Sequence, residues 1–156
     1  MNKQRKLYLA YGSNLNLGQM ANRCRTATVV GVSEMKDYQF LFRGTHSGAV
    51  ATVEPCKGCS VPVLVWEIAR ADEIALDRYE GWPFHYRKEV AKVKLNGKLI
   101  KAMVYIMNEG PPLGQPSVGY FATIMEGYRS VGFNTDILRQ ATENSLQEGY
   151  ENDNQF

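Results

Sequence analysis

Asn96-Gly97 stands between two runs of alternating apolar and polar residues, Tyr86–Leu95 and Leu99–Met107, and no other feature constrains the fold of this chain so tightly. Both turn residues tolerate a positive φ, which a two-residue type I′ connection requires, so the two runs pair as an antiparallel hairpin. Upstream, Lys6–Tyr11, Thr28–Val32, Tyr38–Phe42, Ala49–Val53 and Val61–Ile68 are short β-branched or aromatic runs broken by Gly, Asp or Pro, and they read as further strands. Helical spacing interrupts them twice. Asn16 caps a short helix through about Cys24, with Leu17 and Met20 on one face. Ile74, Ala75, Leu76 and Tyr79 then recur three and four apart within Ala71–Glu80. After the Pro-rich connector Gly110–Pro116 come helices over Val118–Val131 and Thr135–Leu146, the second capped by Asn134 or Thr135. The strands lie too close together for βαβ crossovers throughout, so the expected class is α+β: a small mixed β-barrel of about six or seven strands with flanking helices. Residues 1–148 form one domain, as a length of 156 residues suggests, and the polar tail 149–156 is expected to fray.

Charge excludes several functions. With 18 basic and 16 acidic residues the net charge is +2, and no basic stripe offers itself to nucleic acid. Lys3, Arg5 and Lys6 read as a solvated N-terminus. A secretory leader needs an apolar core of about 7–15 residues, and Leu7–Tyr11 ends at Gly12. The longest uncharged run, Gly110–Met125, carries three Pro and three Gly and is no membrane span. The expected setting is cytoplasmic, with no nucleic-acid or membrane partner. Three cysteines do not make a disulfide framework. Around Cys56-x-x-Cys59, zinc would need two more ligands, and Cys24, His46 and His85 stand at no recognised spacing. A thioredoxin-like pair opens a helix, whereas Pro55–Cys59 reads as a turn, so two thiols flanking a hairpin are expected.

Two segments break local rules. In Tyr11-Gly12-Ser13-Asn14-Leu15, between a strand end and a helix, Gly12 permits a backbone that exposes consecutive N–H groups. Such a loop can cradle a carboxylate, phosphate or oxyanion, or it can be an ordinary turn that caps a helix. It matches neither the phosphate-binding loop nor the dinucleotide pattern, and Ser13 lacks the Gly-x-Ser-x-Gly elbow of a hydrolase. The second segment is Leu76–Phe84. Gly81 is placed to end the helix in the left-handed conformation, leaving Glu80 in the last turn, where the helix dipole disfavours a carboxylate. Trp82 and Phe84 are expected to add apolar surroundings. Both effects raise the pKa of Glu80 toward what a general acid–base needs near pH 7; the alternative is a surface glutamate. Tyr86, Tyr105 and Tyr120 are either core rings with hydroxyls at the rim or site residues.

Together the segments resemble the γ-glutamylcyclotransferase-like family. The resemblance lies in Tyr8–Leu15, with its Tyr-Gly-Ser-Asn, and in Met20-x-x-Arg23-Cys24, Asp37–Phe42, Gly48–Val53 and Val63–Trp66. It continues through Leu76-Asp77-x-x-Glu80-Gly81, Tyr86-x-Lys88, Ala102–Ile106 and Pro116-Ser117-x-x-Tyr120, across about residues 6–140. It implies a small barrel with a cavity at one end and conversion of a γ-glutamyl amine or γ-glutamyl amino acid to 5-oxoproline plus the free amine. It implies no metal or organic cofactor. Glu80 corresponds to the catalytic carboxylate, Tyr11, Gly12, Ser13, Asn14 and Leu15 to the substrate-gripping loop, and Tyr86, Tyr105 and Tyr120 to cavity tyrosines. The expected partner is a small γ-glutamyl molecule, and the expected state a monomer or weak homodimer. The bulky Gly81–His85 segment bears on which amine leaves. The rival readings are an amide hydrolase or acyltransferase of a related γ-glutamyl compound, and a non-catalytic binding module on the same barrel.

Overall fold

The hairpin is present as expected. Strands β4 (Tyr86–Leu95) and β5 (Lys98–Met107) pair from Tyr86↔Met107 to Leu95↔Lys98, and Asn96 and Gly97 turn between them at φ +52° and +80°. The computed structural model describes residues 5–45 and 48–153, so Lys3, His46 and the last three positions of the expected tail lie outside the described residues. The other strands are β1 (Lys6–Ala10), β2 (Thr28–Arg43) and β3 (Val50–Ile68), and all five form one mixed sheet in the order β2-β3-β1-β5-β4. Every pairing is antiparallel except β1 with β5.

There are thus five strands instead of the expected six or seven, because two apparent breaks are strand. Thr28–Val32 and Tyr38–Phe42 are the ends of β2. The polar stretch between them alternates, with Met35 in the core and Glu34 and Lys36 facing water. Ala49–Val53 and Val61–Ile68 likewise join as β3, despite Pro55 and Pro62. Pro62 stands opposite Glu34 and Pro55 opposite Tyr38 in the β2 ladder, and both lie outside the Leu64–Ile68 stretch that pairs with β1. The Cys56–Cys59 segment is not a turn between strands. The register runs from Lys36↔Ser60 to Tyr38↔Pro55, which makes it a bulge opposite Asp37, whose carboxylate accepts from Gly58 N–H. Cys56 and Cys59 are joined as a disulfide. The sheet curls until its outer strands meet: the Ser33 hydroxyl on β2 donates to the Lys94 carbonyl on β4, and a Cβ at Gly31 would lie 2.9 Å from Leu95 Cδ1. No ladder joins β2 to β4 among the described residues, so the expected barrel is curled but not closed by backbone hydrogen bonds.

Helices α1 (Leu17–Arg23), α2 (Arg70–Glu80), α3 (Val118–Val131) and α4 (Asp136–Asp153) flank the sheet. Asn16 caps α1 through Gln19 N–H at 3.0 Å, as expected, and the Asn134 side chain accepts from Asp136 N–H at the start of α4. α4 runs beyond the expected end at Leu146. α3 lies against the Ser13–Leu15 turn, where a Cβ at Gly127 would come within 2.9 Å of the Leu15 and Asn16 backbone. The N-terminal basic residues are anchored as well as solvated: Lys6 pairs with Glu73 at 2.9 Å, and Arg5 donates to the Thr26 carbonyl. No helix of the described residues is long and apolar enough to cross a membrane.

Candidate active site

The flank of α2 is tied down by charge, and this aims its last residue. Glu73 meets Lys6 at 2.9 Å and Lys88 at 2.8 Å, Lys88 reaches on to Asp77 at 2.8 Å, and the Tyr105 hydroxyl donates to Asp77 at 2.6 Å. These bonds hold α2 to β1, β4 and β5. The helix then stops as expected. Gly81 takes φ +65°, its N–H reaches the Arg78 carbonyl, and Trp82 N–H reaches that of Asp77. A Cβ at Gly81 would sit 2.5 Å from the His85 ring, so glycine is required by space as well as by φ.

Glu80 therefore ends the helix half-buried, lining a cavity of about 720 Å³. Its carboxylate has no hydrogen bond or ion pair among the described residues. Burial pushes its pKa up to about 7, and the nearby Arg23 charge pulls the other way without overcoming it. The expected direction is present, but one expected cause is not: Trp82 is 43% exposed and Phe84 86%, so neither encloses the carboxyl. Tyrosines form the wall instead.

Tyr11, Tyr86, Tyr105 and Tyr120 all line the cavity, and burial raises each phenol's pKa, so they are neutral near pH 7. Most of their hydroxyl hydrogens are committed. Tyr11 donates to the Tyr105 carbonyl at 2.6 Å, Tyr86 to the Ala51 carbonyl at 2.6 Å, and Tyr105 to Asp77. Tyr120 differs: it accepts from Ala51 N–H at 3.0 Å, which leaves its own hydrogen free to be donated. Tyr8, a cavity residue the sequence reading did not single out, does the same. It accepts from the Asn14 side chain at 2.8 Å, is buried, and feels the charge of Glu80.

Gly12, Ser13 and Asn14 line the cavity, and their backbone N–H groups have no acceptor among the described residues. A Cβ at Gly12 would lie 3.1 Å from that of Ala51, which keeps the turn close to β3. Leu15, grouped with this loop on sequence, is fully buried and off the cavity; its side chain packs the turn into the core. Ser13 shares a 2.7 Å hydrogen bond with the Tyr79 hydroxyl, and Trp66 Nε1 donates to the Asn14 carbonyl. Arg23 joins the two halves of the site. Its guanidinium bonds the Asn14 side chain and lies 3.5 Å from the centre of the Tyr79 ring, next to Glu80 in sequence. Helical position alone gave no sign of this, since the partner lies on another helix. Among the described residues no group of three or more His, Cys, Asp or Glu is placed to hold a metal ion. Cys24 is buried with its thiol pushed up to about 11, which makes it unreactive.

The curled α+β sheet and the cavity at its end have counterparts among solved structures. A solved structure described as γ-glutamyl cyclotransferase superposes with a TM-score of 0.78 at 27% identity, over 88% of this chain and 86% of that one. A crystal structure of an uncharacterized protein from Homo sapiens gives 0.79 at 26% identity, over 89% and 87%. The γ-glutamylcyclotransferase of Bos taurus is 29% identical over 137 residues, 81% of this chain and 71% of that protein. The family model for γ-glutamyl cyclotransferase, AIG2-like, matches residues 8–124, and the chain belongs to this family. It is a γ-glutamylcyclotransferase-like enzyme whose substrate is a small molecule.

Proposed function

We propose that the protein converts a γ-glutamyl amine or γ-glutamyl amino acid to 5-oxoproline and the free amine, with Glu80 as general base and then general acid. One observation carries the reading: a carboxyl without a partner among the described residues lines the cavity, and burial raises its pKa to about 7. At that pH both of its protonation states are populated, so it can take a proton and return it.

The substrate's α-amine and γ-carbonyl lie a five-membered ring apart, so bond formation is intramolecular and needs only that the chain be folded correctly. The Glu80 carboxylate takes a proton from the α-amine as its nitrogen attacks the γ-carbonyl carbon. The C–N bond of the ring forms and the carbonyl π electrons move onto oxygen. When the oxyanion collapses, the bond to the leaving nitrogen breaks, and Glu80 returns the proton to that nitrogen, which leaves as a neutral amine. The free N–H groups of Gly12, Ser13 and Asn14 supply donors for the substrate carboxylate or the oxyanion, and the free hydroxyl hydrogens of Tyr8 and Tyr120 add two more. Tyr11, Tyr86 and Tyr105, whose hydroxyls are spoken for, act as the wall that keeps the carboxyl dry. The test is to incubate the protein with γ-glutamyl amino acids, γ-glutamyl-ε-lysine, glutathione and simple γ-glutamyl amines and to assay 5-oxoproline by mass spectrometry. Release that Glu80→Gln abolishes is expected. Release undiminished in Glu80→Gln would show that the carboxyl is not the proton carrier.

A further inference from the structure

We infer that Arg78 and Phe84 form a leaving-group subsite that selects a free α-amino acid with a flat apolar side chain; this rests on the cyclotransferase reading of the same cavity. A cavity of about 720 Å³ is of the size that holds drug-sized ligands, and a five-carbon glutamyl unit leaves much of it open. The inner part is the tyrosine wall around Glu80. The outer part is of different chemistry, with Arg43, Arg78, Phe84 and Glu109 among its lining residues.

Phe84 is 86% exposed, yet the loop that carries it is firmly held. The Asn108 side chain donates to the carbonyls of Pro83 and Phe84 at 2.8 and 3.0 Å, Asn108 N–H to that of His85 at 2.9 Å, and His85 N–H to that of Gly81 at 2.9 Å. A ring held in water by an anchored backbone is preorganised to be covered, and covering it releases apolar surface from water. Of the exposed large apolar side chains among the described residues, only Phe84 and Tyr79 line the cavity, and Tyr79 is already engaged by Arg23 and Ser13. The leaving group is what remains to cover Phe84.

The two arginines of the wall are not equivalent. Arg43 spends its guanidinium on Glu54 and on the Pro111 carbonyl. Arg78 is exposed on α2 and its guanidinium has no hydrogen bond or ion pair among the described residues, so it is the cation available to a carboxylate. An amino acid released from its α-amine presents such a carboxylate one carbon from the scissile nitrogen. Glu109, also exposed and unpaired among the described residues, repels a leaving side chain with a second carboxylate.

The experiment compares kcat/KM for γ-glutamyl-phenylalanine, γ-glutamyl-alanine and γ-glutamyl-phenethylamine, the last being the phenylalanine substrate without its carboxylate. In the wild type the first is expected to exceed each of the others about tenfold. Phe84→Ala should bring the phenylalanine-to-alanine ratio toward one while Phe84→Trp preserves it. Arg78→Met should bring the phenylalanine-to-phenethylamine ratio toward one. Equal use of all three compounds by the wild type, or ratios that survive these substitutions, overturns the subsite and leaves the cyclotransferase reading standing. If no compound yields 5-oxoproline, that reading fails instead. Calorimetric binding of γ-glutamyl-phenylalanine to Glu80→Gln then decides the subsite alone: affinity lost about tenfold in the added Phe84→Ala and Arg78→Met variants supports it, and affinity indifferent to both removes it.

Discussion

Glu73 and Glu80 lie on the same helix two turns apart, and the protein treats them in opposite ways. Glu73 is the more deeply enclosed, with a side chain only 3% exposed, and burial alone would raise its pKa. Hydrogen-bonded ion pairs with Lys88 and Lys6 outweigh that, so its pKa is lowered and it stays a carboxylate. Glu80 is only half-buried but has phenols and backbone around it where Glu73 has ammonium groups, and its pKa rises to about 7. Burial presses on both carboxyls, and the presence or absence of cationic partners decides which is structural and which is available for chemistry. The stability consequences are opposite in sign. A depressed pKa contributes stability that is full above the unfolded value of about 4.3 and fades as pH falls through the folded value. A raised pKa contributes stability that is full below about 4.3 and is lost as pH rises through 7.

The strongest test of this contrast is Glu80→Gln. Loss of a general acid–base costs about 10²- to 10⁴-fold in rate, so 5-oxoproline formation should fall to the floor of the assay. The same substitution should stabilise the fold, by up to about 3 kcal/mol at pH 8 and by nothing at pH 4, because it removes a charge that burial penalises. Denaturant melts at the two pH values check this. A variant both inactive and destabilised at pH 8 would break the comparison.

Glu73→Gln should do the reverse. Its cations are partly exposed and can return to water, so the loss at pH 7 is set at about 1–3 kcal/mol, below that for a fully buried pair. The loss should shrink as pH falls through the lowered pKa of the wild-type carboxyl, below which that carboxyl is itself protonated. Equal melting of Glu73→Gln and wild type at pH 7 would mean that the ion pairs contribute nothing net.

What could be read from the chain follows the range of the forces involved. The Asn96-Gly97 hairpin, the span of α3 and the left-handed stop at Gly81 depend on residues a few positions apart, and all three are where the sequence placed them. The continuity of β2 and β3 was hidden because Asp37, Pro55 and Pro62 look like breaks until their strand neighbours are known. Glu80 could be suspected from its place in the last turn. Its lack of a partner, the free hydrogen of Tyr120 and the exposure of Phe84 depend on contacts tens of residues apart, and the free hydrogen of Tyr8 on a turn that brings Asn14 back to it.

Arg23 sharpens the comparison, because it is the cation that Glu80 feels without pairing to it. Arg23→Met removes the one charge that lowers this pKa, so the acid limb of the kcat/KM profile should move to higher pH. It also frees Tyr79 and Asn14 from their shared anchor, and we expect kcat to fall about tenfold, as for misplacement of a positioned group. Arg23→Lys should restore the position of the limb more fully than the rate, since an ammonium supplies charge but not the planar fork. A limb unmoved in Arg23→Met would show that the guanidinium acts through geometry alone.

The smallest effect belongs to Tyr120→Phe, and it tests whether burial acts on Glu80 unopposed or against hydrogen bonding from the phenols. If burial by aromatic walls is the cause, a phenylalanine ring keeps the wall and the limb stays near pH 7. If hydrogen bonding from phenols held the carboxylate, losing a donor would raise the limb further. We expect the first outcome, together with a fall in kcat/KM of about three- to tenfold from one lost neutral donor. Ala51 N–H loses its acceptor in the same variant, at a cost in stability of about 1 kcal/mol. Comparing the melt with the pH profile separates that loss from the catalytic one, since a weakened fold lowers the amount of active enzyme at every pH without moving the limb.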